Sequence, residues 1–556
     1  MSKLINIFKK LGHGSLGAVQ NGSELTELAK YLNVERPIEA TLKEHMEVIR
    51  QNGGGLVLLI GNAGDGKSHI ISQLKSSGQY DDFDFYNDAT ESCSPTMSSL
   101  ETLKTALKFF TDEEIDKTNL KWLLAINLGK LNEFENDSKF SKIGKLAHAV
   151  LNDDFNSNLQ TNHLRFVSFS NQHCFELYPD GQEDYPVDSV FIKTVLGRIT
   201  HNSKDNPFYE AYVETLKEKN GNEKPEVINY ELLSLPAIQD SIVKILIECI
   251  VRYKLILTPR DLFDFVYSIV AYPAINNYKE KLHFFEALLP SAVFNGVTSK
   301  IQKNISTLDP LSISSLKHNI DLSVLFTSFN IPKDILNQRE LGASADVLFK
   351  KINTFYPNHG PDAGRISKFV FRLKHLLSYH SESDNYKDFI RLLADYHSEN
   401  KRDTVVRDLE EVVNVGIPRH YGSYVQKEDL VPLNIQGSKY RLFAKIFKDI
   451  MPVESPYIGD NHNEFLLHIP LQWEVSVGGE KKVIDLKVDY VLYEYLMTLK
   501  NGKLPISYES ELNMDFSRFI RELIKYSSSK KEVVVMTSNG KDLSLRNRSH
   551  NLVTLS

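Results

Sequence analysis

Gly53-Gly-Gly-Leu-Val-Leu-Leu-Ile-Gly-Asn-Ala-Gly-Asp-Gly-Lys-Ser-His-Ile-Ile71 is the stretch that decides the fold of this 556-residue chain. Leu56 to Ile60 form a continuous apolar run bounded by glycines, the pattern of a strand buried on both faces of a parallel sheet. The loop that follows fits G-x-x-x-x-G-K-[ST] at Gly61, Gly66, Lys67 and Ser68. In that spacing glycines let backbone N–H groups close around phosphate oxygens, the lysine reaches the β- and γ-phosphates, and the hydroxyl ligates Mg²⁺. A helix starting near Ser68 adds the partial positive charge of its N-terminus to the same anion site. The bare pattern arises by chance in roughly one such protein per hundred, and the flanking strand and helix lower that further. The loop residues Gly61, Asn62, Ala63, Gly64, Asp65, Gly66, Lys67, Ser68 and His69 are therefore the candidate ATP site. A glycine-rich turn between two core elements is the alternative, and it leaves unexplained why lysine and serine directly follow Gly66.

Working downstream, the P-loop helix is expected to end near Gly78, and Phe83 to Glu91 reads as a second strand ending in carboxylates. Magnesium-dependent hydrolysis needs an acidic residue at a strand end to hold the metal and a second to polarise water. Asp88 and Glu91 are the candidates, with Asp88 beside Ser68 as a metal ligand. An edge strand followed by a helix cap is equally compatible. Next, Leu100, Leu103, Leu107 and Phe110 mark a helix, and Trp122 to Gly129 a buried strand that ends on the amide of Asn127. That strand resembles the AAA+ element whose asparagine places the lytic water; a strand-end turn residue is the alternative for Asn127. Leu164 to Ser170 gives a third strand after a helix around Ile143 to Leu151, a rhythm that argues for a parallel sheet covered by helices. If Asp88 lies on the acidic strand and Asn127 on the next, one edge strand of the AAA+ set is missing; if residues 83–88 are that edge strand, the metal-site carboxylate is missing.

Composition narrows the class. Apolar residues make up 42% and charged residues 25%, ordinary for a soluble globular chain, and no apolar run approaches a membrane span. The N-terminal apolar stretch is too short and interrupted for a signal peptide, so a cytoplasmic location without membrane contact is expected. Cys93, Cys174 and Cys249 are unpatterned and offer neither a disulfide framework nor a zinc set. A net charge of −7 carries no signature of a dedicated nucleic-acid binder, so DNA contact is local or made through a partner.

Upstream, Glu24, Leu25, Leu28 and Leu32, then Ile38 to Arg50, read as a helical leader. Beyond residue 190 the chain turns helical. Pro259 signals a helix start with Arg260 in its first turn; it resembles the lid-helix arginine of AAA+ proteins, and a surface arginine paired with Asp264 is the rival. Arg365, Lys368, Arg372 and His375 make a basic stripe on one helix, either a phosphate-backbone contact or a solvated face. Arg165 and Arg198 are weak candidates for an arginine supplied to a neighbouring subunit in an oligomer. Hairpins around Gly478-Gly479 and Asn539-Gly540, with amphipathic helices between them, mark a C-terminal α+β module. Glu480-Lys-Lys482 and His462 near Asp460 only faintly echo nuclease patterns.

Together these readings predict an α/β P-loop NTPase with an AAA+-like parallel sheet, a helical middle region and the α+β module. The expected divisions are 1–52 helical leader, 53–200 P-loop ATPase core, 201–300 helical lid region, 301–430 helical domain and 431–556 α+β domain. The string Gly61 to His69, with Leu32-Asn-Val-Glu-Arg-Pro-Ile-Glu39 and Asn87-Asp-Ala-Thr-Glu-Ser92, resembles the DptF family, the ATPase components of bacterial DNA phosphorothioation-dependent restriction systems. The resemblance implies a defence role beside two companion proteins, one helicase-like, against DNA lacking the sulfur modification. It carries Gly61, Gly66, Lys67 and Ser68 over as ATP and Mg²⁺ contacts, and less directly Asp88, Glu91 and Asn127. A non-catalytic assembly subunit that binds nucleotide structurally is the competing class, and a small-molecule kinase a third.

Overall fold

The computed structural model describes residues 2–12, 27–62, 65–86, 99–152, 159–179, 185–272, 283–295, 300–312, 320, 342–355, 361–381, 383–423, 430–433, 441–446, 448–451, 462–477, 480–503, 513–525, 532–536, 542–548 and 552–555. Two compact units divide the chain: Met1–Glu176 with Val187–Glu382 and Asn463–Phe465, and Leu177–Pro186 with Ser383–His462 and Leu466–Ser556.

The first unit opens with helices α1 (Lys3–Lys9), α2 (Glu27–Leu32) and α3 (Pro37–Gln51). There follow β1 (Gly55–Ile60), α4 (Lys67–Ser77), β2 (Asp84–Tyr86), α5 (Ser99–Ala106), β3 (Lys121–Ile126), α6 (Leu128–Asn132), α7 (Ser141–Leu151) and β4 (Leu164–Ser168). The four strands form one all-parallel sheet in the order β2-β3-β1-β4. The period of two along β1 sorts its side chains between two cores. Val57 and Leu59, with Leu123, Ala125 and Val167, meet Leu42 and Met46 of α3 and Ile70, Ile71 and Leu74 of α4. Leu56, Leu58 and Ile60, with Trp122, Leu124, Ile126 and Phe166, meet Leu103 of α5 and Ile143, Leu146 and Val150 of α7. Leu56 to Ile60 are at most 1% exposed, so the central strand is covered on both faces. Each such side chain contributes about 1.5–3 kcal/mol by leaving water. This is an α/β architecture. β2 is different: it has three residues, none of them buried, and pairs only with β3.

After the short strands β5 (Glu176–Leu177) and β6 (Val187–Asp188) come α8 (Val190–Thr200), α9 (Pro207–Leu216), α10 (Pro225–Leu233), α11 (Pro236–Tyr253) and α12 (Pro259–Val270). A proline opens each of the last four, where its fixed φ suits the helix and its missing N–H costs nothing. Helices Leu289–Asn295, Lys300–Ile305, Ala345–Phe355 and Pro361–Leu377 continue this region. The basic stripe on Pro361–Leu377 divides: Arg365 and Lys368 are exposed, as a solvated face requires, whereas Arg372 is not. Arg372 is 6% exposed and ion-paired with Asp309, and Arg365 pairs with Glu286. Arg372 is thus a buried structural group, unable to reach a phosphate backbone. Among the described residues no helix is long and apolar enough to cross a membrane.

The second unit is α+β. Helices Asp384–Tyr396 and Arg402–His420 pack with helix Tyr490–Lys500. Strands β7 (Leu430–Leu433), β8 (Arg441–Lys445), β9 (Lys448–Met451), β10 (His468–Val477), β11 (Glu480–Asp489), β12 (Glu532–Met536), β13 (Asp542–Arg548) and β14 (Leu552–Leu555) form two antiparallel sheets, β14-β13-β12-β8-β7 and β11-β10-β9. The β10–β11 and β12–β13 pairs are those the turn residues foretold; the turns themselves lie outside the described residues. Trp473 is fully buried against Phe519 of helix Met514–Lys525.

His420 ties three of these helices together: Nδ1 shares a hydrogen bond of 2.7 Å with the Tyr495 hydroxyl and Nε2 one of 3.1 Å with Ser517 Oγ. Burial lowers its pKa to about 4. The imidazole therefore stays neutral in the folded unit while the unfolded chain takes up a proton near pH 6.5. Stability is lost as pH falls from about 6.5, and the loss levels off near pH 4. Between pH 7 and pH 5 it amounts to about 2 kcal/mol for this one group. Urea unfolding followed by Trp473 fluorescence, with Trp122→Phe removing the other tryptophan, should show that loss, and His420→Gln should remove it from the pH profile.

Candidate functional site

β1 delivers the loop to the C-terminal edge of the sheet between β3 and β4. Gly61 N donates to Ile126 O at 3.2 Å and Phe169 N to Ile60 O at 2.9 Å, so both neighbouring strands flank the first loop residue. Gly61 has no room for a side chain: a Cβ would come within 2.6 Å of Asp65 Oδ2 and 2.7 Å of the Phe169 ring. Asp65 folds back under the loop and accepts a hydrogen bond from Asn62 N. Gly66 caps α4 with φ +93°, a left-handed conformation that side chains rarely adopt. The first amides of α4 then lack carbonyl partners within the helix and point out of its N-terminus.

Lys67 Nζ donates to Gly61 O at 2.8 Å and Asn62 O at 2.6 Å, placing its ammonium over the mouth of the loop. Ser68 is exposed in the first turn of α4, and His69 is half-buried. Burial, then the nearby Arg36 charge, lowers the His69 pKa and keeps the ring neutral. Burial raises the pKa of Asp65, against the Asn62 N–H and the charges of Lys67 and Arg36. Ala63 and Gly64 lie outside the described residues.

Asn127 stands one residue beyond β3, whose Ile126 is paired with Ile60, so the structure brings it to the edge of the loop. Its Oδ1 accepts from Lys130 N at 2.8 Å, capping α6. Asn127→Ala should remove the cap and cost about 1 kcal/mol, whereas Asn127→Asp should keep it; thermal unfolding reads the difference. Asp88 and Glu91, the acidic candidates, lie outside the described residues. The strand that leads toward them, β2, is separated from β1 by β3. Arg260 is exposed in the first turn of α12, which is fixed by a Thr258–Asp261 capping box and packs on α1, α10 and helices 289–295 and 300–305. Arg198 is committed to the leader, donating to Tyr31 O at 2.7 Å and to Asn33 O. Arg165 is half-buried on β4, beside His45. Lys481 of the faint nuclease echo pairs with Glu474 across its hairpin, and Asp460 lies outside the described residues.

One contributor is not among the site residues expected from the sequence. Arg36, the N-cap residue of α3, reaches the carbonyl of Asp65 and lies against Gly66. Its sequence signals are its place in the 32–39 string that carries the family resemblance and Glu39 at i+3, a charged pair at the start of a helix that is otherwise amphipathic.

The donor set suits a polyphosphate: a side-chain-free cradle at Gly61 and Gly66, helix amides, a lysine ammonium and the Ser68 hydroxyl. Among the described residues no group of three or more His, Cys, Asp or Glu is placed to hold a metal ion. Comparison of the chain with protein-family models, curated proteins and solved structures finds no match to any of the three, so the geometry stands as the chief guide to function.

Proposed function

We propose that the chain is a P-loop ATP-binding and ATP-hydrolysing subunit, AAA+-like in its sheet, that serves a bacterial restriction system acting on DNA without phosphorothioate modification. The observation that carries this reading is the strand-loop-helix unit at residues 55–77, in which the central strand of a parallel sheet ends in a glycine-capped helix start with Lys67 across its mouth. Asn127, one residue beyond the strand beside it, supports the AAA+-like assignment. The local resemblance of residues 32–39, 61–69 and 87–92 to the DptF family supports the biological role. When bound, ATP with Mg²⁺ supplies the transferable phosphoryl group, with Ser68 and Asp88 the residues that would hold the ion. Lys67 and the α4 amides neutralise phosphate charge, Asn127 orients water, and Arg260 is the lid-region cation. Companion restriction proteins, including a helicase-like subunit, are the partners, and DNA is engaged directly or through them.

A second reading, a non-catalytic assembly subunit, has its own observation: Asn127 Oδ1 is engaged in capping α6, and Asp65, the carboxylate inside the loop, is bonded to Asn62 N. Steady-state ATP turnover by the full chain, with and without duplex DNA at a fixed salt concentration, separates the two. Mg²⁺-dependent turnover supports the enzyme; binding without turnover in either condition supports the assembly subunit.

A further inference from the structure

Arg36 is the charged group near the loop that the proposed function leaves unused. Its Nε donates to Glu39 Oε1 at 2.7 Å, Nη1 reaches Asp65 O at 3.4 Å, and its Cζ lies 5.8 Å from the centroid of the Phe169 ring. The residue is only 6% exposed, and Nη2 has no hydrogen-bond partner. A Cβ on Gly66 would stand 3.1 Å from Nη1 and 3.6 Å from Nη2, so the guanidinium lies flush against the N-cap residue of α4.

That is an adverse position for a cation on its own. The helix start carries partial positive charge, and the Lys67 ammonium is bonded to the same loop. Glu39 and Asp65 balance the charge, yet neither accepts from Nη2, and Asp65 Oδ1 is likewise buried without a partner. Buried charged donors are satisfied in nearly all folded proteins, because leaving one unmet is costly. An anionic acceptor at the α4 N-terminus would meet it, and arginine's planar fork suits phosphate oxygens in a way a lysine's point charge does not.

Resting on the phosphate-site reading of the loop, we infer that Arg36 is a second cationic ligand of the bound polyphosphate. Its Nη2 donates to a phosphate oxygen at the start of α4, and Glu39 holds the guanidinium in place from the opposite side. The leader thereby becomes part of the nucleotide site through its phosphates, and α3 is coupled to whether the loop is filled.

The test titrates the full chain with inorganic tripolyphosphate and with ATP, using wild type, Arg36→Gln, Arg36→Lys, Glu39→Gln and Lys67→Ala, and records each variant's thermal midpoint without ligand. Arg36→Gln should weaken both probes about tenfold or more, and Arg36→Lys, which keeps the charge but not the fork, by less. Glu39→Gln leaves the arginine charge uncompensated and should bind tripolyphosphate at least as tightly as wild type. A merely structural Arg36–Glu39 bridge would instead lower the midpoints of both variants together and leave affinity unchanged in the folded protein, which overturns the inference. Wild-type affinity in Arg36→Gln alongside loss in Lys67→Ala overturns it while sparing the loop assignment. Absence of binding by wild type overturns both.

Discussion

Lys67→Ala is expected to lower ATP turnover by roughly two to three orders of magnitude, the usual cost of removing one preorganised charge donor from a transition state. The effect should be confined to the nucleotide. Lys67 is half-buried at the first position of α4, and its ammonium bonds the Gly61 and Asn62 carbonyls of its own loop. Alanine is a good helix former, so α4 should persist with its apolar face of Ile70, Ile71 and Leu74 in place. Circular dichroism and the thermal midpoint without ligand should therefore match wild type within experimental error. Unchanged turnover would remove Lys67 from the site.

Arg372→Ala is expected to destabilise the protein by about 3–5 kcal/mol, because it strands a buried carboxylate. Arg372 and Asp309 have side chains 7% and 8% exposed, with Nε to Oδ1 at 3.1 Å, and Nη2 also donates to Asn295 Oδ1 at 2.7 Å. The arginine so pins helix Pro361–Leu377 to two other segments of the helical region. Lys368, on the same stripe but exposed, should change stability by no more than about 0.5 kcal/mol when replaced by alanine. Thermal or urea unfolding of the two variants checks the contrast. If Arg372→Ala instead keeps full stability and weakens DNA binding, the burial argument fails and the stripe is a phosphate contact after all.

This stripe shows where reading from sequence ran out. Spacings of 3, 4 and 3 correctly aligned Arg365, Lys368, Arg372 and His375 along a helix, but Asp309 lies 63 residues away from Arg372 and no periodicity names it. Arg36 escaped notice for the same reason, its loop contact being 29 residues distant. What was legible was local. The apolar run 56–60 announced a strand covered on both faces, and the glycines with Lys67 placed the loop and the helix after it. Pro259 marked the start of α12, and both C-terminal hairpins followed from their turn residues. β2 was a weaker signal because only three residues pair, and its partly polar face is held by Trp122 Nε1 donating to Asp84. The helices 384–420 read as a continuation of the helical middle region, whereas their packing with Tyr490–Lys500 is a tertiary fact that composition does not carry.

The most direct test of the central claim is an equilibrium titration of the full chain with ATP in the presence of Mg²⁺, run beside Lys67→Ala. The account predicts saturable binding at one site in wild type and a loss of at least about tenfold in affinity in the variant. Equal affinity in the two proteins, or no binding by wild type, would contradict the assignment of residues 61–68 as the nucleotide site.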